Sequence, residues 1–277
     1  MSAAFERAPI GVFDSGVGGL SVLRAIRQEL PGEDLIFLAD QGHVPYGSRP
    51  EGEVRLFSEG IARFFLDEGV KLVVVACNTA SAAALYSLRR TFPQTPFVGM
   101  EPAVKPAAEH TQTGVVGVLA TPATFQGSLY ASVIERFANG VTVLPDTCPG
   151  LVSQIEAGRL EQAETRRILE KALRPMLARR VDTLVLGCTH YPFVIPLIQE
   201  ITGPAVRVID PAPAIARQVR RRLEEIGRLN QSKERGKARY LTTGEAAGLQ
   251  RLLSELIGVQ APVEQAVWTA EGLSVKG

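Results

Sequence analysis

Four apolar runs in the first half of the chain return in the second half at nearly one offset. Phe13 to Leu119 is 106 residues, Leu38 to Leu144 is 106, Ala76 to Gly187 is 111, and Gly99 to Ile209 is 110. Each run is short and rich in β-branched residues, and helical patterns separate the runs. Such runs suit parallel strands covered on both faces. Between them, Leu20, Leu23, Ile26 and Leu30 form one helical stripe, and Ile215, Val219, Leu223 and Ile226 form another. The period is too long for a solenoid. The predicted fold is therefore α/β: two pseudo-symmetric lobes, each a mostly parallel sheet flanked by helices, with the active site between them. "GMEPAVKP" and "VIDPAPAI" are proline-punctuated junctions. They divide the chain into a first lobe of residues 1–98 plus 210–277 and a second of residues 99–209. "ARYLTTG" and "LQRLLSELIG" add one more strand and helix to the first lobe. Pro175 is expected to bend or end a helix that begins near Leu160.

Chemistry is expected where these strands end, because open α/β sheets bind ligands at their carboxyl edges. Asp14, Asp40, Cys77, Thr121 and Cys188 all fall there. Cys77 and Cys188 occupy matching places in the repeat, each followed by two polar residues, in "ACNTA" and "GCTHY". A buried cysteine is often no more than a small hydrophobe. Two at equivalent strand ends point to function. The helix start behind each is expected to lower its thiol pKa. Cys148, in "DTCPG", has no repeat counterpart and is assigned to structure.

Thiols on opposing lobes suit one task. One removes a proton from one face of a carbon, the other delivers a proton to the opposite face, and the stereocentre inverts. His190, two residues after Cys188, is either a polar loop residue or a partner that stabilises the thiolate. Asp14, in "DSGVGGLS", is either a cap or a carboxylate aimed at the cleft beside Cys77. Glu156 gives no signal of its own. Ser15, Asn78, Thr79, Thr121, Thr124 and Thr189 are singly ordinary turn or cap residues. Together they suit a small carboxylate ligand. "PYG", Pro45 to Gly47, is a tight turn that could bring backbone donors near it.

Totals exclude several other classes. The 277 residues carry a formal net charge of +1, which predicts neither a nucleic acid nor a membrane partner. No apolar run reaches the length of a membrane span, and "MSAAFERAPI" has no export-signal core. Three cysteines, an odd number, fit a reducing compartment, so a cytoplasmic location is expected. "GVGG" lacks the lysine and spacing of a P-loop. Neither CxxC nor HExxH occurs, so no metal is expected. No lysine sits in a cysteine-type strand-end motif, so no pyridoxal phosphate, and no other cofactor, is expected. A thiol hydrolase using Cys77 with His190 would leave Cys188 unexplained. A two-lobed binding protein without catalysis remains the non-enzymatic alternative.

The ordered set "GVFDSGVGGLSV", "PYGSR", "VVACNTASA", "GMEPAVKPA", "GVLATPAT", "GCTHYP" and "IDPA" resembles the glutamate racemases of the aspartate/glutamate racemase superfamily. The likeness runs from about Pro9 to about Val267 by motif placement. It implies a cofactor-independent isomerase that supplies D-glutamate for peptidoglycan. It implies Cys77 as the base for D-glutamate and Cys188 as the base for L-glutamate. Asp14 would assist the first thiol, and His190 and Glu156 the second. Asp14, Ser15, Pro45, Tyr46, Gly47, Asn78, Thr79, Thr121, Thr189 and His190 match positions around the substrate. A homodimer is a further implication. A racemase of aspartate or another small amino acid is the alternative within the superfamily.

Overall fold

The structure is a computed structural model, and it describes residues 7–232 and 234–276. Most of the N-terminal stretch read for an export signal lies outside the described residues. In chain order the elements begin β1 (Ile10–Asp14), α1 (Gly19–Glu29), β2 (Leu35–Ala39), α2 (Glu51–Asp67), β3 (Leu72–Val75), α3 (Asn78–Thr91) and β4 (Phe97–Gly99). There follow α4 (Val104–His110), β5 (Val115–Ala120), α5 (Pro122–Gln126), α6 (Ser128–Phe137), β6 (Thr142–Asp146), α7 (Leu151–Glu156), α8 (Ala163–Ala178) and β7 (Thr183–Gly187). The chain closes with α9 (Ile195–Thr202), β8 (Arg207–Ile209), α10 (Ala212–Glu225), β9 (Ala238–Thr242), α11 (Ala246–Ile257), β10 (Val263–Thr269) and β11 (Gly272–Val275).

The repeat survives as topology. One sheet has seven strands in the order β11-β10-β9-β2-β1-β3-β4, and the other has four in the order β6-β5-β7-β8. The segments β2-β1-β3-β4 and β6-β5-β7-β8 are thus the same arrangement, and both are parallel throughout. In each, the chain winds one way from the first strand of the repeat to its second, and the other way from there on. The crevice between those two directions lies at the ends of β1 and β3 in one sheet, and of β5 and β7 in the other. That is where a doubly wound sheet binds its ligand.

The expected helical stripes are the buried ones. Leu20, Leu23 and Ile26 of α1 and Ile215, Val219 and Leu223 of α10 are buried, and the two helices pack together. Strands β1, β2, β3 and β7 are buried along their whole length, as their unbroken apolar runs require. Below the sheet, Lys71 Nζ lies 2.5 Å from Glu33 Oε2 in a fully buried pair. Glu33 Oε1 accepts the Asn230 N–H, so the pair ties the approach to β9 to the bottom of β1–β3.

Three details differ from the sequence reading. Helix α8 starts at Ala163 and continues through Pro175 to Ala178. Pro175 and Lys171, whose carbonyl loses its helical partner, are both exposed, so water can take that bond. Strand β6 runs through Pro145 to Asp146. It is an edge strand, where a missing N–H is tolerated. The antiparallel hairpin β10–β11 was not foreseen. Glu264, Gln265 and Glu271 interrupt its apolar pattern, and its residues are mostly half-buried.

Candidate active site

Cys77 and Cys188 open into one small cavity. Its lining also includes Ser15, Pro45, Tyr46, Gly47, Asn78, Thr79, Thr121, Thr189 and His190, together with Val152. Each thiol follows a buried strand, β3 or β7, and each is 5% exposed. The free volume is about 20 Å³, space for a single water. A much larger groove, about 920 Å³, lies beside β4 and α10, away from both thiols.

The surroundings of the two sulfurs differ. Cys77 caps α3: its Sγ accepts the Ala80 N–H at 3.5 Å, and Ser15 Oγ lies 3.9 Å away. The helix start does not lower this thiol as expected. Burial, and then the neighbouring Asp14 carboxylate, push it well up, and the Ala80 N–H offsets only part of that. Cys77 therefore rests protonated. Cys188 lacks the expected helix start, because a 3₁₀ turn over Tyr191–Val194 precedes α9. Its sulfur instead faces His190 Nδ1 at 3.7 Å. Cys148 is buried in the core with a left-handed backbone, φ +42°, and does not line the cavity.

Asp14 and Glu156 stand behind the lining. Asp14 Oδ1 accepts the Gly16 N–H at 2.9 Å and the Ser15 hydroxyl at 3.0 Å. Its Oδ2 accepts the Thr189 hydroxyl at 2.6 Å, so the carboxylate links the β1 loop to the loop after β7. Asp14 does not cap α1, whose first turn follows Gly18. Glu156, at the end of α7, reaches His190 Nε2 at 2.5 Å and accepts the Val17 N–H at 2.8 Å. The glycines of "DSGVGG" make this approach possible. A Cβ on Gly16 would lie 1.9 Å from Glu156 Oε1, and one on Gly18 would lie 2.5 Å from His190 Nδ1.

Two polar residues behave differently from their strand-end neighbours. Asp40 turns away from the cavity and accepts from Tyr46 Oη at 2.6 Å, Thr243 Oγ1 at 2.7 Å and Trp268 Nε1 at 2.9 Å, with His43 Nδ1 also 2.9 Å away. It holds the turn that carries Pro45–Gly47. Gln41, which the sequence reading passed over, donates from Nε2 to Glu156 Oε2 at 3.0 Å. Its only sequence signal is its place just after a strand end.

Burial opposes protonation of His190, but its hydrogen bonds to Cys188 and Glu156 outweigh that. The imidazole titrates well above its ordinary range. Burial likewise opposes ionisation of Glu156, and His190, Gln41 and the Val17 N–H together outweigh it and lower the carboxyl. The pair is therefore imidazolium and carboxylate at neutral pH. A raised histidine stabilises the fold fully below its unfolded value, about 6.5, and the benefit is lost as pH rises through the folded value. The melting-temperature advantage of the native chain over His190→Asn should thus be largest near pH 6 and shrink as the pH rises into the alkaline range. A constant or widening gap in thermal melts over that range would contradict the imidazolium assignment.

The strand-end geometry coincides with a family. Residues 10–219 match the sequence profile of the Asp/Glu/Hydantoin racemases. The chain belongs to that family. Among family relatives, the glutamate racemase of Roseiflexus sp. (strain RS-1) is 50% identical over 264 residues, 95% of this chain and 97% of the relative. Solved racemase structures share the fold. The Escherichia coli glutamate racemase in complex with L-glutamate and activator UDP-MurNAc-ala superposes with a TM-score of 0.82 at 33% identity, covering 98% of this chain and all of that one. The glutamate racemase from Francisella tularensis in complex with D-glutamate gives 0.81 at 29% identity, covering 94% and 97%. Among the described residues no helix is long and apolar enough to cross a membrane.

Proposed function

We propose that this chain interconverts L- and D-glutamate without a cofactor, with Cys77 and Cys188 as the two bases. The observation that carries the reading is that two thiols, at equivalent ends of two like-ordered sheets, line one cavity. The reading divides the chain into a first lobe, residues 1–98 with 210–277, and a second, residues 99–209, with a thiol from each.

Binding falls to neutral donors and acceptors. Asn78 is 3% exposed, and neither its Oδ1 nor its Nδ2 has a hydrogen-bond partner. An orphaned buried amide is costly, and this one lines the cavity. It can accept from an α-ammonium and donate to a carboxylate. Thr79 and Thr121, joined hydroxyl to hydroxyl at 2.9 Å, extend the donor wall. Together with Ser15 and Thr189 they hold both carboxylates of glutamate and fix its Cα between the sulfurs. A 20 Å³ cavity cannot admit an amino acid, so the lobes part for entry and close over the substrate. Closure excludes water and strengthens these contacts.

Proton transfer then follows from the unlike surroundings of the thiols. His190, as imidazolium held by Glu156, is the counter-ion that a Cys188 thiolate needs. Cys188 takes the α-proton of L-glutamate. Cys77, resting protonated beside Asp14, gives its proton to the opposite face, and D-glutamate forms. The reverse direction starts from D-glutamate with the roles exchanged. The product serves peptidoglycan synthesis, the location is cytoplasmic, and a homodimer is the assembly this reading expects.

The test is racemisation of each enantiomer, followed by circular dichroism, with purified protein and no added cofactor. Glutamate should exceed aspartate in kcat/KM by at least about tenfold, the discrimination that one methylene supports. Absence of turnover, or a preference for aspartate, would reject the proposal.

A further inference from the structure

Gln41 joins the two halves of the site. It follows β2 in the seven-stranded sheet, whereas Glu156, His190 and Cys188 belong to the segments around the four-stranded one. Its amide has a fixed sense. The hydroxyl of Thr242, a fully buried residue at the end of β9, donates to Gln41 Oε1 at 2.9 Å. The Nε2 group must then face Glu156 Oε2, at 3.0 Å. The other oxygen, Oε1, takes the Val17 N–H and His190 Nε2. Three elements therefore hold one carboxylate, and among the described residues it is Gln41 that holds the oxygen His190 does not use. Without it the carboxylate is free to turn, and the Nε2 bond that orients His190 toward Cys188 loosens. The contacts of the Cys77 sulfur come instead from the Ala80 N–H and from Ser15, itself held by Asp14, and Gln41 is in none of them.

We propose that Gln41 is a positioning residue for Cys188 alone: it fixes Glu156, Glu156 fixes His190, and the effect falls on proton transfer at one face of the substrate. The inference rests on the two-thiol racemase reading above. Enantiomers have equal free energies, so kcat/KM is the same in both directions and rates alone do not tell which face is affected. Isotope effects do. When the Cys188 step slows, breaking the Cα–H bond of the enantiomer that Cys188 deprotonates becomes more rate-limiting. For the other enantiomer it becomes less so.

The experiment uses the full chain with Gln41→Met, which keeps the length and removes both hydrogen bonds. Thr242→Val, which removes only the hydroxyl that aims the amide, guards against a folding defect in the first variant. Loss of a hydrogen bond to a charged group should lower kcat about tenfold for Gln41→Met, with KM little changed. The isotope effect on kcat/KM should rise with α-deuterated L-glutamate and fall with α-deuterated D-glutamate. Thr242→Val should show the same asymmetry more weakly. Gln41→Met in a Glu156→Gln background should cost nothing further, because the residue acts through Glu156. Unchanged kinetics, equal isotope effects for both enantiomers, or losses that multiply would each overturn the inference. Failure of the native chain to racemise glutamate would instead overturn the reading on which it rests.

Discussion

Cys77→Ala and Cys188→Ala should each lower racemisation on the order of 10⁴-fold, the upper range for a lost general acid–base group. Both losses should be large, because inversion needs a proton removed from one face and another delivered to the opposite face. The two variants should nevertheless differ in what remains. With Cys188 gone, Cys77 can still exchange the α-proton of the enantiomer it faces, so in deuterated water D-glutamate gains label without becoming L-glutamate. With Cys77 gone, the label should enter L-glutamate. Circular dichroism reads inversion, and proton NMR at Cα reads exchange. Full racemisation in either variant, or label entering both enantiomers equally, would remove the two-base mechanism. Both sulfurs are buried, but alanine keeps the strand-end backbone, so folding should survive.

Gly16→Ala should lower kcat by about 10²-fold or more, the scale expected when a catalytic group is misplaced by an ångström, while leaving the fold in place. The new Cβ would lie 1.9 Å from Glu156 Oε1 and 2.7 Å from its Cδ. Those atoms are the far end of a flexible side chain, so Glu156 can swing aside and the backbone need not move. In doing so it gives up the Val17 N–H, Gln41 and His190. His190 then loses the carboxylate that keeps it charged beside Cys188. The diagnostic measurement is a pair of variants. If the methyl acts by evicting Glu156, adding Gly16→Ala to Glu156→Ala should cost nothing more. A double variant slower by the product of the two losses would mean that the methyl damages the β1 loop itself.

Much of this arrangement was legible in the chain, for identifiable reasons. The eight repeat strands are short β-branched runs, and such runs have few places in a soluble fold other than a sheet covered on both faces. Strand ends could be read as site positions because ligands bind there in open α/β sheets. Asn78, Thr79, Thr121 and Thr189 are common cap residues, marked by their shared strand-end placement and by the family resemblance. The hairpin β10–β11 was missed because edge strands do not need unbroken apolar runs. The lowered Cys77 pKa was a local argument from the helix start. It failed because burial and a carboxylate from another strand, Asp14, outweigh one N–H donor.

From composition and pattern alone came the α/β class, the internal repeat and the pair of equivalent cysteines, because these depend on local periodicity and on what a strand end presents. The tertiary structure decided which groups surround each sulfur. Glu156 lies 139 residues from the Val17 N–H and 115 from Gln41, and Thr189 lies 175 from Asp14. A buried thiol responds strongly to the charges and donors packed around it, and no spacing along the chain reports which distant side chains those are.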